Sequence, residues 1–139
     1  MSDTRPDPFV ATWTLNLEQS SFDEHHNPRG GTMTFERERD GYLMTAEGVA
    51  QDGRTVAERP QRFILDGQAH PLPGFPELLA VATQPGPNAL HGEVRRPDGS
   101  IVGEGDYVVS SDGRSLTATA TGVDAQLRRF QVTTVWERA

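Results

Sequence analysis

The chain has 139 residues, of which 35% are hydrophobic and 24% charged, as is typical of a single globular domain. A formal net charge of −7 argues against the clustered cations that nucleic-acid binding requires, so no nucleic-acid partner is expected. The absence of cysteine excludes disulfides, thiolate nucleophiles and Cys-ligated metals.

The N-terminal residues 1–8 are rich in Pro and Asp and are predicted to form a flexible arm, with residues 9–139 forming one domain. No apolar run is long enough to span a membrane. The first residues also lack the basic and apolar parts of a secretory signal. We therefore expect a cytoplasmic protein, although a trimmed secreted chain would have the same sequence. No motif indicates an oligomeric state.

Five Asp-Gly dipeptides divide the chain into short intervals. Asp-Gly between apolar runs is a strong hairpin signal, because a tight turn needs positive φ at its centre. The spacing leaves room for one strand per interval, and about two in the longest, which predicts an antiparallel meander. The dipeptides are Asp40-Gly41, Asp52-Gly53, Asp66-Gly67, Asp98-Gly99 and Asp112-Gly113.

Ten strands are predicted along this meander, joined by turns and by two longer loops at residues 18–30 and 71–76. Pro60 predicts an interruption in the fourth strand, and residues 85–88 are a predicted turn. In chain order the strands are Phe9–Leu17, Gly31–Arg39, Tyr42–Ala50, Arg54–Leu65, Gln68–His70, Leu78–Thr83, Ala89–Arg96, Ser100–Val109, Arg114–Gly122 and Leu127–Arg138.

Closure of such a long meander removes its exposed edges. No segment has the 3.6-residue periodicity of an extended helix. The predicted fold class is therefore all-β, a single antiparallel up-and-down barrel of 8–10 strands with little or no helix.

Alternation in the last four strands places several small side chains on the inner face of this barrel. Such a wall either surrounds a cavity large enough for a ligand or allows strands to coil and approach closely. The sequence leaves both interpretations open. The small residues are Gly92, Gly103, Gly105, Ala118 and Ala120.

Both ends of the domain resemble those of the calycin superfamily. Ala11-Thr12-Trp13 resembles the Gly-x-Trp signature that commonly opens its bacterial lipocalin-like proteins, with Ala11 in place of the Gly. The last strand, Thr134 to Arg138, resembles the closing strand of lipocalin-like and fatty-acid-binding-protein barrels. The resemblance implies that Arg138, or else Arg129, stacks on Trp13 and closes the barrel floor.

The resemblance does not imply fatty-acid carriage. Fatty-acid-binding proteins hold the ligand carboxylate with an Arg and a Tyr on the last strand, where this chain has Thr134 and Trp136. Residues 18–30 also lack the apolar periodicity of their helical lid.

Candidates for chemistry are few. His25 and His26 are adjacent, and adjacent residues rarely converge on one ion, so no metal site is predicted. His91 shares its strand face with Glu93 and Arg95, which indicates the barrel exterior. His70, near the predicted mouth, is the candidate general acid or base.

Other signals of catalysis are missing or ambiguous. Glu47 and Glu58 would form a pair of acids only if both faced inward, which the alternation in that half of the chain does not decide. No nucleophile elbow, phosphate loop or dinucleotide fingerprint is present, so no cofactor is expected.

These observations predict a binder of a small, largely apolar molecule in the barrel lumen. The mouth is expected near residues 18–27 and 71–77, and Tyr42, Tyr107 or Thr134 would orient the ligand by hydrogen bonds. Two alternatives stay open: an enzyme (cyclase, isomerase or hydrolase) using His70 or a buried carboxylate, and a barrel with a filled interior. The predicted ligand contacts are Phe35, Tyr42, Met44, Leu90, Tyr107, Leu116, Val132, Thr134 and Trp136.

Overall fold

The computed structural model describes residues 7–22, 29–50, 52–57, 60–72, 74–123 and 127–139. These residues form eleven β-strands, and none of them belongs to a helix that could cross a membrane. The strands are β1 Ala11–Ser21, β2 Gly30–Glu38, β3 Gly41–Val49, β4 Thr55–Ala57, β5 Gln61–Ile64, β6 His70–Leu72, β7 Phe75–Gly86, β8 Ala89–Arg95, β9 Ile101–Val109, β10 Ser115–Val123 and β11 Arg129–Arg138.

All strands belong to one antiparallel sheet, in which β1 to β4 and β6 to β11 each pair with their neighbours along the chain and β1 pairs with β11. Both β4 and β5 pair with β3, so they are two segments of one strand, and ten strands surround the interior. Pro60 lies between these segments outside any strand, which confirms the predicted interruption. The all-β meander barrel is confirmed.

The hydrogen-bonded ladder is open at one place, between β5 on one side and β6–β7 on the other. We call this gap the seam. Strand β5 contacts β7 across it, but the two strands form no ladder. The backbone N–H of Gly67 donates to the carbonyl of Ala82 at 3.1 Å and joins the two sides.

Two of the Asp-Gly predictions were wrong, one in the reason for the glycine and one in the hairpin itself. Gly53, Gly67, Gly99 and Gly113 have positive φ, but Gly41 does not. Gly41 instead allows close approach, since a Cβ there would lie 1.7 Å from the Phe63 carbonyl oxygen. Asp66-Gly67 is a turn but not a hairpin, because β5 and β6 pair with β3 and β7 and not with each other.

Several predicted loops are partly extended. The Pro-rich run at residues 71–76 overlaps β6 and the start of β7, so Pro71 and Pro76 lie within strands. Pro85, from the predicted turn at residues 85–88, lies within β7. Strand β6 covers only part of the longer β7, so the rest of that side of β7 has no paired strand. A proline at such an unpaired position removes no hydrogen bond from the ladder. At the other long connection, β1 continues to Ser21 and β2 begins at Gly30.

The barrel has a closed end and an open end, defined by the strand directions. The closed end carries the β2–β3, β5–β6, β7–β8 and β9–β10 turns and the start of β1. The open end carries the ends of β1 and β6 and the starts of β2 and β7, which flank the two long connections that the sequence placed at the mouth.

Aromatic side chains fill the closed half of the interior. Phe35 is 1% exposed, and its ring centroid lies 5.6 Å from that of Phe9, 6.1 Å from Tyr42, 6.2 Å from Phe63 and 5.9 Å from Tyr107. Such contacts between rings add to the burial of apolar area. This half is a solid hydrophobic core.

The predicted stacking of Arg138 on Trp13 is confirmed. Trp13 is fully buried, and the guanidinium carbon of Arg138 lies 5.0 Å from its ring centroid. Arg138 also donates to the carbonyls of Gly113 at 2.8 Å and Pro8 at 2.9 Å. It thereby joins both chain ends and the β9–β10 turn at the floor.

The last two residues of the predicted arm are bound to the barrel. The Asp7 carboxylate accepts hydrogen bonds from the backbone of Phe9 at 2.9 Å and from the Tyr42 hydroxyl at 2.6 Å. Residues 1–6 of the arm lie outside the described residues.

Candidate functional site

The open half of the lumen is lined by small residues, as the alternation predicted. Register places Gly105 beside Ala120, and Gly92 beside Gly105, in rows that continue the buried positions of the closed half. Here the strands enclose a cavity of about 200 Å³. Its inner-face lining residues include Gln61, Phe63, Ala80, Ala82, Gly92, Val94, Gly103, Gly105, Tyr107, Ala120 and Phe130.

A second, largely apolar cavity of about 320 Å³ lies at the seam. Its lining includes residues from both sides of the seam, among them Ile64 of β5 and Leu72 of β6. Five residues line both cavities, so the two spaces adjoin. These are Gln61, Arg62, Ala80, Ala82 and Val94.

Two neutral or weakly basic polar side chains reach the seam cavity from opposite sides. Gln61 lies on the inner face of β5, because its register partner is the buried Met44. His70 lies on the inner face of β6, opposite Ala80. Its Nε2 is 2.9 Å from one carboxylate oxygen of Asp66 and 3.1 Å from the other.

Asp66 remains ionised beside this imidazole. The backbone N–H of Gln68 donates to its carboxylate and is the main reason that the pKa of Asp66 is lowered; the His70 contact adds to this effect. A carboxylate only accepts hydrogen bonds, so the proton of the contact belongs to Nε2 of His70.

Five of the predicted ligand contacts belong to the closed half and pack against its core. The side chains of Phe35, Tyr42, Met44, Leu90 and Leu116 are between 0% and 8% exposed. They form the floor beneath the cavities. Their role as direct ligand contacts stays a prediction.

Of the other four predicted contacts, Tyr107 and Trp136 are partly buried against this core, and Val132 and Thr134 lie farther along β11 towards the open end. Tyr107 lines the smaller cavity, and register places Val132 opposite Ala120. Thr134 accepts a hydrogen bond from the indole of Trp136 at 2.8 Å and donates to the carbonyl of Ala118 at 3.3 Å. Where the resemblance would place a carboxylate clamp, this chain has an uncharged Trp–Thr pair.

Tyr42 was predicted to orient a ligand, but its hydroxyl points to the closed end and donates to Asp7. Burial raises the pKa of Tyr42 to about 12, and the hydrogen bond to Asp7 acts in the same direction. The Arg37 guanidinium carbon lies 4.9 Å from the ring centroid of Tyr42. In this structure the phenol anchors the N-terminal segment.

Sequence reasoning missed Gln61 and Asp66. Gln61 alternates with Phe63 and Leu65, so it is a polar residue in an apolar series, and this signal was available. Asp66 was assigned only to a turn. Of the suggested acid pair, Glu47 faces outward beside the exposed Thr32, and Glu58 lies outside the described residues.

The part of the chain that the structure describes contains no group of His, Asp and Glu able to hold a metal ion. His25 and His26 fall outside it. Their suggested solvated loop is therefore still a prediction.

His91 lies on the outer face, as predicted, in a charged cluster. Its Nδ1 is 2.7 Å from Asp106 and its Nε2 is 2.9 Å from Glu93, which also binds Arg95. The hydrogen bonds that the His91 ring makes to Asp106, first, and to Glu93 raise the pKa of His91.

Replacing His91 with glutamine is expected to remove a pH-dependent part of the stability. Because its folded pKa is raised, the protonated imidazole stabilises the fold below the unfolded pKa of about 6.5. That contribution is lost as the pH rises through the folded pKa. In urea unfolding, the free energy of unfolding of the wild type should exceed that of His91→Gln by up to about 1 kcal/mol at pH 6 and by less at pH 9.

The partner change Asp106→Asn supplies the check on this assignment. It removes the larger cause of the raised pKa, so it should weaken the same pH dependence. An equal stability difference between wild type and His91→Gln at both pH values would contradict the role of the cluster.

No family model and no curated protein matches this sequence. Solved structures do share the fold. Zebrafish ileal bile acid-binding protein in complex with cholic acid aligns with a TM-score of 0.57 and 13% identity, over 95% of this chain and 99% of that chain. As-p18, an extracellular fatty acid binding protein, aligns with a TM-score of 0.54 and 14% identity, over 99% and 100%.

At these identities the likeness establishes the fold alone. It confirms the antiparallel up-and-down barrel. The resemblance to the calycin superfamily and to its bacterial lipocalin-like proteins stays a prediction.

Proposed function

We propose that this barrel binds a small, largely apolar molecule in the open half of its lumen and in the adjoining seam cavity. The observation that carries the proposal is the division of the interior into two halves. A solid aromatic floor supports two adjoining spaces of about 200 and 320 Å³. A largely apolar lining with a few polar groups is typical of small-molecule sites.

The size of these spaces favours a compact ligand. Ligand pockets commonly have volumes of about 300–1,000 Å³, and the two adjoining cavities together lie in the lower part of that range. The structural neighbours bind a bile acid and a fatty acid by their printed names. That shared use of the fold supports the class of ligand, a small apolar molecule, and not its identity.

Ala80→Phe tests the proposal by filling the space. Ala80 lies on the inner face of β7 and lines both cavities, so a phenyl ring there would occupy volume that a ligand needs. We expect binding of the neutral dye Nile red, followed by its fluorescence, to weaken at least about tenfold. The free energy of unfolding should change by less than about 1 kcal/mol, whereas a packed core would lose about 1–3 kcal/mol.

Thr117→Phe is the matched control, because Thr117 is exposed on the outer face of β10. It should leave dye binding unchanged. Gly105 is less suitable for filling, since a Cβ there would already lie 3.5 Å from the Tyr107 ring. A wild type that binds no dye, together with a strongly destabilised Ala80→Phe, would contradict the proposal and favour a filled barrel.

The enzyme hypothesis has one specific observation in its favour. His70 lines the seam cavity and contacts Asp66, an arrangement in which a carboxylate orients a general base. Its side chain is 35% exposed, so the imidazole is less enclosed than the buried base that this hypothesis predicted. Binding without chemistry is therefore the better supported function. The cytoplasmic location stays a prediction.

A further inference from the structure

The polar groups of the seam cavity indicate which kind of ligand it accepts. Among the described residues, the Gln61 amide has no hydrogen-bond partner, although it faces an apolar space. It offers two N–H donors and a carbonyl acceptor. A ligand group that meets this amide restores hydrogen bonds that the apolar lining cannot supply.

His70 supplies the complementary group from the other side of the seam. Its Nε2 proton is directed to the ionised Asp66, so in the neutral imidazole Nδ1 is left as an acceptor. A hydroxyl group can donate to that acceptor and accept from the Gln61 amide. A carboxylate cannot donate at all.

The charges around the cavity disfavour an anion. Arg62 is the one arginine that lines either cavity within the described residues. Register places Arg62 on the outer face, and its guanidinium binds the Glu38 carboxylate at 2.6 and 3.2 Å. The charge next to His70 is the Asp66 carboxylate. Among the described residues that line the cavities, no arginine is left to pair with a buried anionic head group, and the Asp66 carboxylate beside His70 carries a like charge.

We infer that the ligand is a compact apolar alcohol, whose uncharged hydroxyl group is bound between Gln61 and His70 at the seam. This inference rests on the proposed function, since it assigns the polar end of the molecule that the lumen binds.

Three probes of equal chain length test the inference: 1-decanol, decyl methyl ether and decanoate, each titrated into the full chain at pH 8 by calorimetry. Decanol should bind tightest. The ether lacks the hydroxyl proton and should bind about 3–10-fold more weakly. Decanoate should bind at least about tenfold more weakly than decanol.

Gln61→Leu keeps a similar volume and removes the amide. It should weaken decanol binding about 3–10-fold and reduce the advantage of decanol over the ether. Gln84→Leu, at an exposed position of β7, is the control. It should change neither the affinity for decanol nor the advantage of decanol over the ether. Circular dichroism confirms that both variants fold.

The outcomes separate the two proposals. Decanoate binding as tightly as decanol would overturn the alcohol assignment and leave the proposed function intact, and unchanged decanol binding in Gln61→Leu would overturn the role of Gln61. Failure of all three probes and of Nile red to bind would overturn the proposed function itself.

Discussion

Replacing Trp13 with alanine is expected to lower the free energy of unfolding by about 3–5 kcal/mol. Trp13 is fully buried at the barrel floor, its indole N–H donates to the Phe9 carbonyl at 3.1 Å, and Arg138 covers its ring. The substitution removes the buried ring and leaves a cavity. It also leaves Arg138 without its cation–π partner, which adds about 1 kcal/mol. Urea unfolding followed by circular dichroism measures the loss.

Two further variants make this measurement decisive. Trp13→Phe keeps a ring in place and should lose less, which gives a usable value if the alanine variant does not fold. Val10→Ala, at a nearby side chain that is 40% exposed, should change stability by no more than about 0.5 kcal/mol. A loss for Trp13→Ala as small as that of Val10→Ala would show that the floor does not stabilise the barrel.

The closing contact could be predicted because the resemblance of both chain ends to calycin barrels implied that a late arginine stacks on Trp13. Trp13 and Arg138 are direct register partners across β1 and β11. The inner faces of β8 to β11 were equally readable, since these strands alternate small or apolar residues with Thr and charged ones. Alternation along a strand depends only on residues close together in the chain, so a single sequence is enough to predict which side chains face inward.

The seam could not be predicted from local patterns. Asp66-Gly67 has the composition of a hairpin turn and has positive φ at Gly67. The strands that it joins nevertheless pair with β3 and β7 and not with each other. A turn signal specifies a change of direction and not the partner of the next strand.

The sequence also could not predict that aromatic side chains fill the closed half of the barrel. Phe9, Phe35, Phe63 and Tyr107 come from four separate segments, and only their packing shows that their rings occupy one volume. The predicted ligand contacts therefore included floor residues. Gln61 was visible in principle, as a polar residue in an apolar alternation.

Gly41→Ala is expected to lower the free energy of unfolding by about 3 kcal/mol. Gly41 is a buried residue at the start of β3, where β5 passes so closely that an added Cβ would lie 1.7 Å from the Phe63 carbonyl oxygen and 3.2 Å from Leu65. Because the obstructing atom belongs to the backbone, β5 must move away from β3 to accept a methyl group. That movement also disturbs Phe63, which forms part of the aromatic floor.

Gly113→Ala is the control that separates close approach from turn geometry. Gly113 has a φ of 74° and no atom within 4 Å of an added Cβ, so alanine there should cost only the backbone strain of about 1–2 kcal/mol. Denaturant unfolding of both variants compares the two mechanisms directly. A smaller loss for Gly41→Ala than for Gly113→Ala would contradict the packing of β5 on Gly41.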